Sequence, residues 1–256
     1  MSSQILAQTG HRPWPMPKSP WIMAQSWHGL LFAHWPVPAD EMRALIPPQL
    51  ELDTFDGDAW VGVVPFRMSG IRPRACPAVP WLSAFLELNV RTYVRSKDPE
   101  NPKPGVYFFS LDAANPVAVA VARSTFKLPY FNAAMRMSET ENVISYRSQR
   151  SHRGAGAANF EGSYGPLGEV YRSEPGSLEH WLTERYSLYT VSKGRAFCGE
   201  IHHGPWPLQS AFCEIKSNTM AAAANICLPD TAPLLHFARC IDVVVWPISA
   251  VKIVPL

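Results

Sequence analysis

The sequence has little of what would place it in several large protein classes. Cysteine is scarce: Cys76, Cys198, Cys213, Cys227 and Cys240 are odd in number, widely spaced and form no C-x-x-C pair. That excludes a disulfide framework and argues against a zinc site, so reduced, mostly buried thiols are expected. No run approaches the ~18 apolar residues of a membrane span. Even the apolar C-terminal stretch is interrupted by Asp242, Pro247 and Lys252. The opening segment, MSSQILAQTGHRPWPMPKSP, lacks a basic stretch followed by a long apolar run and does not read as a secretory signal. A cytoplasmic location is expected. Neither sign of charge dominates, since 23 Lys and Arg stand against 21 Asp and Glu with no block of like charge. Neither nucleic acid nor a membrane is therefore an expected partner. Gly154-Ala155-Gly156-Ala157-Ala158-Asn159 stops short of G-x-G-x-x-G and has no helix signal behind it, and no G-x-S-x-G elbow occurs. No cofactor is implied.

What is abundant is proline and tryptophan, 25 and nine residues in a chain of 256. Proline at twice its usual ~5% cuts the chain into short elements and excludes long helices. A chain of this length still buries roughly 70–75% of its unfolded surface, enough for a core without staples. Residues 1–20 read as an arm lying on the surface or on another subunit, with Trp14 and Trp21 as its docking groups. Residues 21–256 are expected to form one domain.

Within that domain LLFAHWPV (30–37) has a buried-strand pattern. Pro38-Ala39-Asp40-Glu41 then opens a short helix that Pro47-Pro48 stops. Leu50 to Thr54, the turn Phe55-Asp56-Gly57-Asp58 and Ala59 to Met68 predict a β-hairpin, because Asp-Gly supplies the positive φ angles of a tight turn. A Pro-rich connector (69–83) precedes a second hairpin, 84–96 and 105–113, centred near Asn101. Asn115-Pro116 is an N-cap and N1 pair, so VAVAVARS is read as a buried helix, although its alternation also fits a strand. Strands are expected at 143–152, 157–164, 185–192, 195–203, 234–246 and 248–254, with short helices after Ser177 and over 217–226. Hairpins dominate and no β-α-β alternation repeats. The expected fold is mainly antiparallel β, a closed or conical barrel with a few short inserted helices.

Several stretches resemble a known family. LLFAHWPVPADEMRALIPPQLELD (30–53) with AWVGVVPFRM (59–68) resembles the opening strand, helix and hairpin of acetoacetate decarboxylases, and LDAANPVAVAVARSTFKLPY (111–130) resembles the decarboxylase segment ending in Tyr-Pro-Lys-Lys. With FLELNVRTYV (85–94) and HHGPWPL (202–208), the chain is similar to the uncharacterised YqjF-like family within that superfamily. The resemblance implies the decarboxylase-like fold. In decarboxylases the first of the two lysines forms a Schiff base with the keto acid while its neighbour depresses its pKa, an example used in general accounts of nucleophilic catalysis. Aligning Arg123 and Pro129 without gaps puts Tyr130 and Phe131 at those positions, and neither forms an imine. The family's active-site arginine falls on His28 and its glutamate on Glu87. Lys127 is close by, but three residues earlier on an extended segment its side chain points to the opposite face.

The residues themselves add to this. Glu87, Asn89 and Arg91 share one strand face, flanked by Phe85 and Tyr93, while Leu86, Leu88, Val90 and Val94 take the other. Asp112 and Ser110 are expected across from the polar row. Such alternation fits a solvated face as well as the lining of a barrel pocket. His202-His203 does not make a metal site, because adjacent strand residues point to opposite faces and nothing completes a ligand set. One of the pair is expected beside the turn Pro205-Trp206-Pro207. Arg185 is expected to pair with a buried carboxylate or an anionic ligand.

Three readings stay open. One is a barrel that binds a small carbonyl- or carboxylate-containing molecule, with Glu87, Tyr130, His28, Asn89, Arg91 and Phe131 around it. The second is an enzyme using Glu87 as general acid or base, assisted by Tyr130 or His28. The third is an assembly protein. A homo-oligomer is expected, since the aromatic arm of residues 11–27 needs a surface to cover it and the resembled folds are commonly oligomeric.

Overall fold

The computed structural model describes residues 2–98, 100 and 102–252. In chain order the elements are α1 (Ser2–Ala7), β1 (Met23–Val37), α2 (Ala39–Leu45), β2 (Leu50–Leu52), β3 (Ala59–Pro73), β4 (Phe85–Ser96), β5 (Pro104–Ala113), α3 (Pro116–Thr125), β6 (Tyr130–Thr140), β7 (Val143–Arg150), β8 (Asn159–Tyr171), α4 (Leu178–Thr183), β9 (Ser187–Ser192), β10 (Arg195–His203), β11 (Leu208–Asn218), a 3-10 turn at Ala222–Ala224, β12 (Leu234–Val245) and β13 (Ser249–Ala250).

The strands form one 13-stranded sheet that closes on itself. Most pairs are antiparallel, as expected of hairpins, but β5–β6 and β5–β9 are parallel, so the sheet is mixed. Two branch points give it two rings. One edge of β12 bonds first to β11 and further along to β10. One edge of β5 bonds to β9 near Val106 and to β6 near Leu111. The larger ring therefore runs β5–β6–β7–β8–β11–β12–β1–β3–β4, the smaller β5–β9–β10–β12–β1–β3–β4, and the strands β12, β1, β3, β4 and β5 form a wall common to both.

Side chains alternate across that wall. Leu31, Val63, Leu88 and Val90 enter the larger ring and pack against Ile144, Tyr146, Phe160 and Tyr164, all buried. Leu30, Phe32, Val64 and Phe66 enter the smaller ring. Alternation in β1 is reset at Gly29, whose φ of +56° suits glycine. A Cβ there would lie 2.8 Å from Ile144 Cδ1, so the bulge also needs the missing side chain. The phenols of the filled ring hold the wall from behind. Tyr164 donates to the Gly29 carbonyl at 3.0 Å, and Tyr146 donates to the carbonyls of Glu87 (2.8 Å) and Phe66 (3.1 Å).

Several expectations change here. The 50–68 hairpin does not form as such: the Asp-Gly turn is present, with Asp56 at φ +51° and Gly57 at +92°, but β2 pairs with β4. The reason is that β3 pairs with β4 only over Gly62–Met68, opposite Phe85–Arg91, which leaves Val94–Ser96 of that edge to β2. The 84–113 hairpin forms, although Asn101 lies outside the described residues. Asn115 caps α3 through Oδ1, which accepts from Val117 N and Ala118 N, yet only Val119 of that helix is buried. The helix lies across an opening, with Val121 52% exposed. No helix fills 217–226, because β11 continues to Asn218 and the 3-10 turn ends at left-handed Asn225. The last strand shrinks to Ser249–Ala250, and residues 253–254 lie outside the described ones. The thiols are unpaired but not mostly buried: Cys76, Cys227 and Cys240 are exposed.

The arm docks on its own chain. Ile5, Leu6, Met16 and Trp21 pack on Ala24, Val244 and Trp246. Arg12 and Trp14 both bond Glu200, at 3.1 and 2.9 Å. Its aromatic groups thus find cover without a second subunit, and that argument for self-association falls away. No helix among the described residues is long and apolar enough to cross a membrane.

Candidate functional site

The centre of the larger ring is packed by Tyr146, Phe160 and Tyr164, with a pocket of about 200 Å³ beside Phe109, Ser110, Phe131 and Arg150, whereas the smaller ring encloses an apolar cavity of about 310 Å³. Val79 and Val121, both exposed and both lining it, mark its mouth between the 74–83 segment and α3. Asn115 Nδ2 donates to the Trp81 carbonyl at 3.2 Å and ties these two covers together. Inside, the walls are mostly phenyl, indole and aliphatic groups, as in small-molecule pockets generally.

The polar row of β4 faces this cavity, not solvent. Glu87, Asn89 and Arg91 all line it and are 3%, 6% and 9% exposed. Tyr130, the first residue of β6, reaches in beside them, and its hydroxyl donates to Glu87 Oε2 at 2.8 Å. Burial pushes the Glu87 carboxyl up to about 8, against the Tyr130 hydrogen bond that lowers it; nearby Asp112 adds to the rise. Burial and the Glu87 carboxyl together raise the Tyr130 phenol well above its usual value. Both shifts favour the protonated forms, a carboxylic acid joined to a phenol. Such a group donates a hydrogen bond or a proton to a ligand oxygen.

Two expected site residues lie elsewhere. Met23, Gln25 and Trp27 line the cavity, so His28 points out of it; its Nε2 meets Ser69 Oγ at 2.7 Å. Phe131 follows Tyr130 on β6 and so takes the other face, where Arg150 stacks over its ring at 4.2 Å. Asp112 and Ser110 also lie on that face: the register pairs Leu88 with Asp112 and Val90 with Ser110, one residue off the expected pairing. Asp112, fully buried, holds Arg150 at 2.7 Å. Lys127 lies outside the cavity, its Nζ 5.2 Å from the Phe197 ring, and no lysine lines the cavity among the described residues.

Sequence reasoning gave Arg185 a carboxylate, and Asp53 Oδ2 is 2.7 Å from it. It did not place Arg185 at the cavity, where it lies with Thr183 and His203. His203 sits 5.2 Å from the Trp206 ring, as expected for one of the pair, and its ring stacks on Tyr186. The indoles of Trp27 and Trp206 were also missed; both line the cavity and both Nε1 atoms are buried without a partner. No signal in the sequence distinguishes these from core aromatics. No cluster of His, Cys, Asp or Glu suited to a metal occurs among the described residues.

Known proteins give this geometry a context. The family model DUF2071, described as an uncharacterized conserved protein, matches residues 24–242. The uncharacterized protein YqjF of Bacillus subtilis is 46% identical over 233 residues, covering 91% of this chain and 94% of its own. Among solved structures, the enduracididine biosynthesis enzyme MppR complexed with pyruvate superposes with a TM-score of 0.61 at 12% identity, over 96% of this chain and 98% of its own. An acetoacetate decarboxylase from Legionella pneumophila gives 0.60 at 15% identity, over 95% and 93%. At such identities the structural likeness speaks for the acetoacetate decarboxylase-like fold alone.

Proposed function

Since the chain belongs to the DUF2071 family and has the acetoacetate decarboxylase-like fold, we propose that its smaller ring binds a small carbonyl- or carboxylate-containing molecule without forming an imine. One observation carries this reading: a buried, hydrogen-bonded Glu87–Tyr130 pair opens into an apolar cavity whose described wall holds no lysine. A desolvated acid is a poor structural device, because burial costs it stability and one hydrogen bond only partly offsets that. It is a good partner for a ligand oxygen, which takes its proton as a hydrogen bond.

A second reading, that Glu87 acts as general acid or base on a bound carbonyl, is favoured by the carboxyl's position near 8, within reach of the operating pH. In that case Tyr130 orients the carboxyl and Tyr146 fixes the backbone of Glu87 from the filled side. The assembly reading loses its main support with the arm docked on its own chain.

The test is a calorimetric screen of keto and hydroxy acids against the wild type and Glu87→Gln, with acetoacetate and borohydride as the control for imine formation. Ligand binding weakened by Glu87→Gln, with no mass added by borohydride, is expected. A stable adduct on any lysine, or no binding of any such acid, would overturn the proposal.

A further inference from the structure

The cavity has a second polar pole, opposite in character to the first. Arg91 and Arg185 both line it, and their guanidinium groups lie over the Tyr93 ring, 5.8 and 4.8 Å from its centroid. Arg185 is paired with Asp53, which also holds Arg95 at 2.6 Å, but Arg95 is half exposed and solvated. Arg91 takes part in no ion pair among the described residues. It makes only long contacts, to the Tyr93 hydroxyl at 3.4 Å and the Leu182 carbonyl at 3.3 Å. Glu184 accepts from the Tyr186 hydroxyl and from Trp206 N. Of the two buried guanidinium groups at the cavity, only Arg185 thus has a carboxylate. Arg91 Nε and Arg185 Nη2 are buried without acceptors. An uncompensated buried cation is costly, and the deficit here is one negative charge.

The two poles also fix a length. Glu87 and Arg91 are four residues apart on β4, which stays regular there because the bulge falls on β5, so their Cα atoms are roughly 13 Å apart. Side chains on one strand face leave it side by side, so contact distances of about 3 Å at each end leave roughly 7 Å between the polar ends of a ligand, the span of about six C–C bonds. The volume agrees independently. A cavity of about 310 Å³ is at the small end of the roughly 300–1,000 Å³ of small-molecule pockets and suits one slender chain of that length.

We propose that the ligand is a medium-chain oxo- or hydroxy-acid, its carboxylate on Arg91 and Arg185, its distal oxygen at Glu87 and its apolar chain along Phe32, Phe66 and Phe108. This rests on the ligand-binding reading of the same cavity and names its ligand class. Short keto acids such as acetoacetate fail to span the poles.

Calorimetric titration of the full chain with 7-oxooctanoate, its methyl ester, octanoate and acetoacetate tests it. The wild type should bind 7-oxooctanoate at least tenfold tighter than the ester, which lacks the charge, and tighter than acetoacetate, which lacks the length. Arg91→Gln should remove the preference for acid over ester. Glu87→Gln should keep that preference and lose the preference for 7-oxooctanoate over octanoate. The acid–ester and length comparisons use the unaltered chain and decide the matter even where a variant fails to fold. Acetoacetate binding as tightly as 7-oxooctanoate, or an acid preference unchanged in Arg91→Gln, overturns this inference while leaving the binding reading intact. Binding of none of the four overturns both.

Discussion

On one face of the shared wall Leu31, Val63, Leu88 and Val90 interlock with Ile144, Tyr146, Phe160 and Tyr164. On the other, Phe32, Phe66, Glu87 and Arg91 border open space. The same strands supply both faces, so backbone pairing does not distinguish them. What does is the supply of side chains from the far side: β7 and β8 send Tyr146, Phe160 and Tyr164 inward, whereas β9 and β10 contribute Leu188, Ile201 and His203 and leave the centre open. Charge follows the same division. Behind the wall a buried carboxylate meets its arginine, as Asp112 does Arg150, while at the cavity Arg185 has Asp53 but Arg91 and Glu87 have no ion-pair partner among the described residues. Stability should therefore reside in the filled ring and binding in the hollow one.

The sharpest way to break this comparison is through the two arginines. Asp112→Ala strands Arg150 and should cost about 3–5 kcal/mol, measured by urea unfolding, whereas Arg91→Met should leave stability unchanged or raise it by about 1 kcal/mol. Equal losses would mean that Arg91 is structurally paired after all. A smaller contrast is expected from phenylalanine truncation. Phe160→Ala in the filled ring should cost about 3–5 kcal/mol, and Phe108→Ala at the cavity only about 1–2 kcal/mol, because a void already exists there. Equal values would show that the cavity wall is packed as tightly as the core.

A third contrast depends on pH. A carboxyl held at about 8 when folded, against an ordinary 4.5, keeps its proton in the native state throughout that window. Native stability from Glu87 is thus greatest below about pH 4.5, falls as pH rises and levels off above about 8. Glu87→Gln carries no such proton. Its unfolding free energy should gain on the wild type as pH rises from about 4.5 to about 8, by about 1 kcal/mol per pH unit. A difference independent of pH would show that Glu87 is ionised or solvated.

Much of this was legible in the chain, for physical reasons that can be named. FLELNVRTYV displays its two faces by alternation, and the structure keeps them apart: polar to the cavity, apolar to the core. Asn115-Pro116 and Ser177 marked helix starts because capping is local. What failed depended on non-local facts. His28 was placed by a gapless match, and only the bulge at Gly29 shows that residues before and after it point by opposite parity. The Asp112 register was off by one because a hairpin loop does not fix pairing when a bulge lies beyond it. β6 and β11 were unread, since Met135, Arg136 and Met137, or Glu214, Ile215 and Lys216, carry weak alternation until their neighbours are known. Arg185, Trp27 and Trp206 reach the cavity only through ring closure.

That closure has a consequence during synthesis. Both rings pass through the β1–β12 seam, which joins Met23 to Val245 and His34 to Leu234. At roughly 5–20 residues per second, the ribosome needs on the order of 10–40 s after making β1 to deliver its partner. For that interval the apolar edge of β1 stands open to any passing strand. Neither the cavity nor the core exists until the seam shuts, so a chain stopped before β12 should aggregate and not yield a smaller, working barrel.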